Sequence, residues 1–153
     1  MSGPPGLRPA RLTDLPELLD LERAFPGDRI AASSFRRLLR RPSAELWVLD
    51  EGGRVLADLV LLFRRGSGVA RVYSVVVDAA LRGRGIGAHL YAHAADRARA
   101  RGCHAIRLEV RLDNPAGQAL ARAAGFRDAG VIPEFYEDGA DALRMRLDLR
   151  PPT

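Results

Sequence analysis

The sequence predicts one α/β domain of the α+β kind: a mixed, mostly antiparallel sheet with a central parallel strand pair that splays apart, and about four helices. Three observations predict it. Apolar runs at 45–50, 54–63 and 72–77 are separated by glycine turns, first at Glu51-Gly52-Gly53 and then at Gly66-Ser67-Gly68, which reads as successive antiparallel strands. A helical repeat divides the run at 72–77 from an alternating run at 105–111, the pattern of two parallel strands joined by a crossover helix. The 153 residues, 47% hydrophobic and 28% charged, suffice for one core. No repeat and no long linker breaks the chain, so 1–153 reads as a single domain, with 1–6, rich in proline and glycine, expected to be loose.

The elements follow in order. Residues 7–10 make a short first strand. Thr13 is a good N-cap for a helix to about 24, with Leu15, Leu18, Leu19 and Leu21 on its apolar side. Phe25-Pro26-Gly27-Asp28 breaks the chain before a second helix at 32–40, which carries Phe35, Leu38 and Leu39. The long helix runs from about 84 to 101, with Ile86, Leu90, Ala94 and Ala98 along one face. Arg97, Arg99 and Arg101 complement the dipole of its last turns, and Gly102 stops it. In the strand at 105–111, Ile106, Leu108 and Val110 share one face, and Arg107, Glu109 and Arg111 the other. Pro115 opens a short helix with Ala119, Leu120 and Ala123 turned inward, ended by Gly125. Residues 126–131 and 142–149 form a last strand pair, in which Leu143, Met145, Leu147 and Leu149 alternate with polar side chains.

Bulk properties exclude several classes. The single cysteine, Cys103, allows no internal disulfide and fits a reducing compartment, and it lies past a helix end, where no N-terminal dipole would activate a thiol. No apolar run has the length of a membrane span, and the first residues lack a leader's basic start and apolar core, so no membrane is expected and the cytoplasm is the expected location. The net charge of +5 comes from 24 basic residues, all arginine and spread along the chain; with 6% aromatics, this argues against a nucleic-acid surface. His89 and His93 have a spacing that can chelate zinc, but no third ligand lies nearby in sequence, so no metal is expected.

The stretch at 72–88 carries the function. Five apolar residues among 72–77 suit a strand covered on both faces. Then Arg82-Gly83-Arg84-Gly85-Ile86-Gly87 places three glycines and two arginines within six residues, just ahead of a helix. Glycines let backbone N–H groups approach an oxygen closely, and the first-turn N–H groups of a helix have no internal partner. The expected guest is a phosphate or pyrophosphate. Two patterns fit. Gly83-x-Gly85-x-x-Ala88, with Glu109 about 20 residues on, matches a dinucleotide-binding fingerprint, although five residues (78–82) separate the strand from the first glycine. The other pattern is R-x-x-G-x-G.

With that second pattern the sequence resembles the GNAT superfamily of N-acetyltransferases. The resemblance runs through Val75-Val76-Val77-Asp78, the loop from Arg82 to Ala88, Leu108-Glu109-Val110, Asn114 and Gly125-Phe126. Leu108-Glu109-Val110-Arg111 followed by Asn114, and the stretch from Tyr136 to Met145, are most similar to the ribosomal-protein alanine N-acetyltransferase branch.

The resemblance implies acetyl-CoA as co-substrate and a primary amine as acceptor, either a protein N-terminus or a small molecule, with direct attack in a ternary complex. It implies that the cofactor's pantetheine arm pairs with the backbone near Val75, Val76 and Val77. The pyrophosphate would lie on Arg82, Gly83, Arg84, Gly85, Ile86, Gly87 and Ala88. An N–H near Val77 would hold the developing oxyanion. Glu109 matches the family's general base, and its other reading is an exposed cross-strand ion pair. Asn114 is either a helix N-cap or a cofactor contact. The family's usual tyrosine, four residues before Gly125-Phe126, is Ala121 here; Tyr136 is the substitute candidate for the general acid. Glu134, Glu137, Asp138 and Asp141 form either a solvated turn or an acidic lip for a cationic amine, facing the turn at 25–29 across the acceptor groove. Ala121 leaves open a non-catalytic acyl-CoA-binding domain. Monomer and homodimer both remain open.

Overall fold

The computed structural model describes residues 6–23, 32–81 and 83–149. Its strands are β1 (Gly6–Pro9), β2 (Ala44–Glu51), β3 (Arg54–Leu62), β4 (Val69–Val77), β5 (Ala105–Arg111), β6 (Arg127–Ile132) and β7 (Ala142–Asp148). The helices are α1 (Leu15–Arg23), α2 (Ala32–Arg40), α3 (Ile86–Ala100) and α4 (Pro115–Ala123). One seven-stranded sheet has the order β1-β2-β3-β4-β5-β7-β6. Every neighbouring pair is antiparallel except β4 and β5. The expected α+β architecture is therefore present, including the parallel pair at its centre.

Two apolar layers sandwich the sheet. On one face α1 and α2 set Leu18, Leu21, Phe35 and Leu38 against Val48, Val60 and Val76. On the other, Leu90, Ala94 and Ala98 of α3 and Ala121 of α4 pack on Leu59, Leu61, Ala70, Val72, Ile106 and Leu108. Each such leucine removed from water stabilises the fold by about 1.5–3 kcal/mol. The four residues assigned to the inner face of the long helix, Ile86, Leu90, Ala94 and Ala98, are all buried.

The far end of α3 is anchored to β2 through Glu45. Its carboxylate accepts bonds from Arg97 (2.7 and 3.0 Å), Arg101 (2.7 Å) and Trp47 Nε1 (2.9 Å). Burial works against its charged form, yet these donors hold its carboxyl down at about 2. The anchor fixes the helix axis, and with it the N-terminus beside the end of β4.

Some local expectations need correction. Thr13 is not an N-cap: it lies inside a 3-10 turn, Leu12–Asp14, and Asp14 accepts the Arg11 N–H at 2.7 Å, so a carboxylate closes that end. In α4 the buried residue is Ala121, while Ala119 and Ala123 are exposed and Leu120 is half-buried. Gly87 of α3 approaches this helix so closely that a Cβ there would stand 2.6 Å from Leu120 Cδ2. Residue 24 and the turn at 25–29 lie outside the described residues.

Candidate active site

The parallel ladder is short. It runs from Val69 opposite Ala105 to Val72 opposite Leu108 and stops, although both strands continue. A bulge accounts for the parting. Val60 of β3 pairs with Ser74 while Leu61 pairs with Val72, so Tyr73 is an extra residue in β4. Beyond it β4 stays paired to β3 through Val75, Val76 and Val77, and β5 stays paired to β7 through Glu109, Val110 and Arg111. The facing edges of the two strands carry no ladder from Tyr73 and Glu109 onward. An extended ligand can use those backbone groups as a strand would. Val76 turns its side chain into the α1–α2 layer and its backbone toward β3, and Val75 and Val77 pack against the α3–α4 layer, so Val75 and Val77 offer backbone to the gap.

The gap leads to the glycine loop. Gly83 (φ 84°) and Gly85 (φ 75°) are both left-handed, and Gly85 is the N-cap of α3. A backbone carrying left-handed residues at such spacing turns its N–H groups inward, as in anion nests. The first α-helical bond is from the His89 N–H to the Gly85 carbonyl, 3.0 Å, so the N–H groups of Ile86, Gly87 and Ala88 precede it and have no acceptor within the helix. Gly83, Arg84, Gly85 and Ala88 are exposed, whereas Ile86 and Gly87 are buried. Arg82 lies outside the described residues.

Glu109 proves neither an exposed surface pair nor a free carboxylate. Its side chain is only 2% exposed and sits among three arginines from three strands. Oε2 accepts from Arg107 Nη1 at 2.6 Å and from Arg144 Nε at 3.2 Å. Arg71 Nε stands 2.7 Å from Oε1, but its N–H is not aligned with that oxygen, so the contact is an ion pair without a hydrogen bond and Oε1 keeps its lone pairs. Leu108 packs in the α3–α4 layer, so Glu109 occupies the opposite, α1–α2 face, at the point where the strands part.

The β6–β7 connection is clamped to the end of β5. Arg111 binds Asp138 at 2.6 Å and Asp113 at 3.0 Å, and its guanidinium lies 5.0 Å from the centre of the Tyr136 ring. Tyr136 is thus held near the strand that carries Glu109, with Phe135 against it. Of the four acidic residues there, Asp138 is engaged by Arg111 and Asp141 accepts the Glu134 N–H at 3.0 Å. Asn114 caps α4: its Oδ1 accepts the Gly117 N–H at 3.0 Å. Cys103 is half-buried, and burial pushes its thiol upward. His93 packs edge-on to Trp47 with ring centres 4.3 Å apart.

Sequence reasoning missed four polar residues near this site. Tyr73 is the bulged residue, exposed, with Arg71 5.3 Å from its ring centre. Buried Asp58 and Glu22, with half-buried Ser74, form a polar group beneath α1. The only sequence signal was a lone acid inside the apolar run Leu56-Ala57-Asp58-Leu59-Val60.

A mostly antiparallel sheet whose one parallel pair splays apart toward a helix N-terminus is the architecture of the GNAT fold. The sequence signature of the acetyltransferase (GNAT) family matches residues 12–126, and the chain belongs to that family. It is 36% identical over 124 residues to the N-alpha-acetyltransferase RimI of Mycobacterium tuberculosis, covering 79% of this chain and 77% of that protein. It is also 27% identical over 158 residues to an N-alpha-acetyltransferase of Sulfurisphaera tokodaii, covering 94% and 92%. A further match, 46% identical over 78 residues, is to an uncharacterized protein of Mycobacterium leprae, of which the chain spans only about a fifth (21%). The crystal structure of the ribosomal-protein-S18-alanine N-acetyltransferase from Escherichia coli superposes with a TM-score of 0.84 at 24% identity, covering 97% and 96%. No helix among the described residues is long and apolar enough to cross a membrane.

Proposed function

We propose that this chain transfers acetyl from acetyl-CoA to a primary amine, with a protein N-terminal α-amine as the acceptor class. The observation that carries this reading is the early end of the β4–β5 ladder at Val72 and Leu108, which leaves two unpaired backbone edges leading to the loop at 83–88. Pantetheine pairs along Val75, Val76 and Val77, and the pyrophosphate sits on the N–H groups at 83–88, with Arg82 and Arg84 supplying positive charge. An N–H near Val77 polarises the thioester carbonyl. Asn114 already serves as an N-cap, so any contact with the cofactor falls to its amide nitrogen. Glu109 takes the proton released when the amine attacks, through Oε1 or a water on it. Tyr136, held by Arg111, is one candidate to give a proton to the leaving sulfur.

The N-terminal acceptor is favoured over a small amine because the RimI relative and the S. tokodaii relative are both named N-alpha-acetyltransferases. A structural neighbour, the NatC complex, is bound to a peptide and CoA, with a TM-score of 0.80 at 20% identity. A thiol-release assay with acetyl-CoA tests the reading against peptides with N-terminal alanine or serine, polyamines, aminoglycosides and free amino acids. Turnover is expected with the peptides and at least tenfold less with the small amines. Equal or better turnover with a small amine would overturn the acceptor class. Coenzyme A binding without thiol release from any acceptor would instead favour a binding domain, and stabilisation by NAD but not by coenzyme A a dinucleotide site.

A further inference from the structure

Beneath α1 lies a second set of proton-bearing side chains. Glu22, in the last turn of α1, is 4% exposed and Asp58, on β3, is 1% exposed. The Ser74 hydroxyl donates to Glu22 Oε2 at 3.2 Å. As a carboxylate, Asp58 has two buried oxygens with no donor in reach. Such an orphaned charge is costly, and it is relieved when one proton is shared between the carboxyls, so that one acid donates to the other. Burial, and then the charge and hydrogen bond of Glu22, push the Asp58 carboxyl well above its ordinary value. The surroundings do not supply a counter-charge. Val48 of β2 and Val76 of β4 stand opposite Asp58. From α1 the only other acid turned toward β3 is Glu17, which accepts the Val55 N–H at 2.7 Å, and no cation among the described residues pairs with Asp58. Arg71, on the same face, is committed to Glu109.

Ser74 links this pair to the gap. It directly follows the bulged Tyr73 and precedes Val75, at the start of the unpaired edge of β4 and on the same face of the sheet as Glu109.

We propose that Glu22, Asp58 and Ser74 form a second proton-donating group for the reaction, delivering the shared proton to the leaving sulfur. The inference rests on the acetyl-transfer reading above. As the carbon–sulfur bond breaks, its electron pair stays on sulfur. The Ser74 hydroxyl rotates from Glu22 toward that sulfur and gives up its proton; Asp58 passes its proton to Glu22, and Glu22 gives one through Oε2 to Ser74 Oγ. Sulfur gains one proton, Ser74 is unchanged and the pair is one proton poorer until solvent reloads it. A buried pair that resists double ionisation holds its last proton more tightly than a free carboxyl does, which suits it to act as a general acid. It also explains how the chain manages with Ala121, fully buried, where the family's tyrosine would stand.

The test compares Ser74→Ala, Asp58→Asn and Tyr136→Phe for kcat across pH, with acetyl-CoA and an N-terminal alanine peptide. Ser74→Ala and Asp58→Asn should each lower kcat about tenfold or more and displace the alkaline limb of the profile, while Tyr136→Phe keeps that limb. If Tyr136→Phe alone removes the limb and the other two match the wild type, the inference is overturned. A wild type that binds coenzyme A but never releases thiol would overturn the parent reading and the inference with it. A second readout needs no turnover. Above its ordinary value of 3.8 the folded Asp58 binds more protons than the unfolded one, so it lowers stability as pH rises. The melting midpoint of Asp58→Asn relative to wild type should therefore climb from acid toward neutral pH. A constant difference would mean that no proton is stored there.

Discussion

Glu109→Gln is expected to lower kcat by about a hundredfold or more at and below neutral pH, with the deficit shrinking as pH rises. An ammonium has no lone pair, so a proton must leave the nitrogen before or during attack. Glu109 is the carboxylate on the α1–α2 face of β5 where the strands part, and its Oε1 has lone pairs to spare. Glutamine keeps the shape and still accepts from Arg107 and Arg144, but it cannot take a proton. At higher pH more of the acceptor arrives as free amine, so less depends on the residue. The substitution also leaves Arg71, Arg107 and Arg144 without their shared carboxylate. Those arginines are 27, 35 and 42% exposed, so water screens them and the stability loss should stay near 1–2 kcal/mol. A kcat–pH profile with the wild-type shape would remove Glu109 as base, whatever the drop in melting temperature.

Gly85→Val should weaken coenzyme A binding at least tenfold. Gly85 is left-handed, and a β-branched residue there is strained by about 1–3 kcal/mol. Relaxing that strain means rotating the peptides that present the N–H groups of the first turn of α3. The control is Gly53→Val in the β2–β3 turn, where φ is 81° and an added Cβ would meet nothing within 4 Å. Both variants should melt earlier by a similar amount, and only Gly85→Val should lose affinity. Equal affinities, measured by calorimetry below both melting points, would mean that the loop does not grip the ligand.

Much of this architecture is legible in the sequence because its signals are local. The strand Ala105–Arg111 and the helix Ala32–Arg40 follow from side-chain periodicity, and the β2–β3 hairpin from its paired glycines. The glycine loop ahead of α3 is legible because its left-handed turns depend on glycine spacing. What stayed hidden depends on partners distant in the chain. The burial of Glu109 needs Arg71 from β4 and Arg144 from β7, and alternation along β5 alone could suggest only a surface ion pair. The bulge at Tyr73 is a property of register between β3 and β4, and no residue in 72–77 announces it. Asp58 reads as one polar interruption in a strand until α1 brings Glu22 onto it. The face α4 buries, Ala121 rather than Ala119 and Ala123, depends on how it meets α3, where Gly87 lies close against Leu120.

A melting titration of the wild-type chain with acetyl-CoA reads the grip of the loop at 83–88 without reference to any acceptor. At a hundred times the dissociation constant, ligand binding adds about 2.7 kcal/mol. For a domain of this size the midpoint should rise by roughly 5–10 °C, with a smaller rise for Gly85→Val at the same concentration. A wild-type midpoint that stays in place up to millimolar acetyl-CoA would contradict the pyrophosphate site and every step built on it.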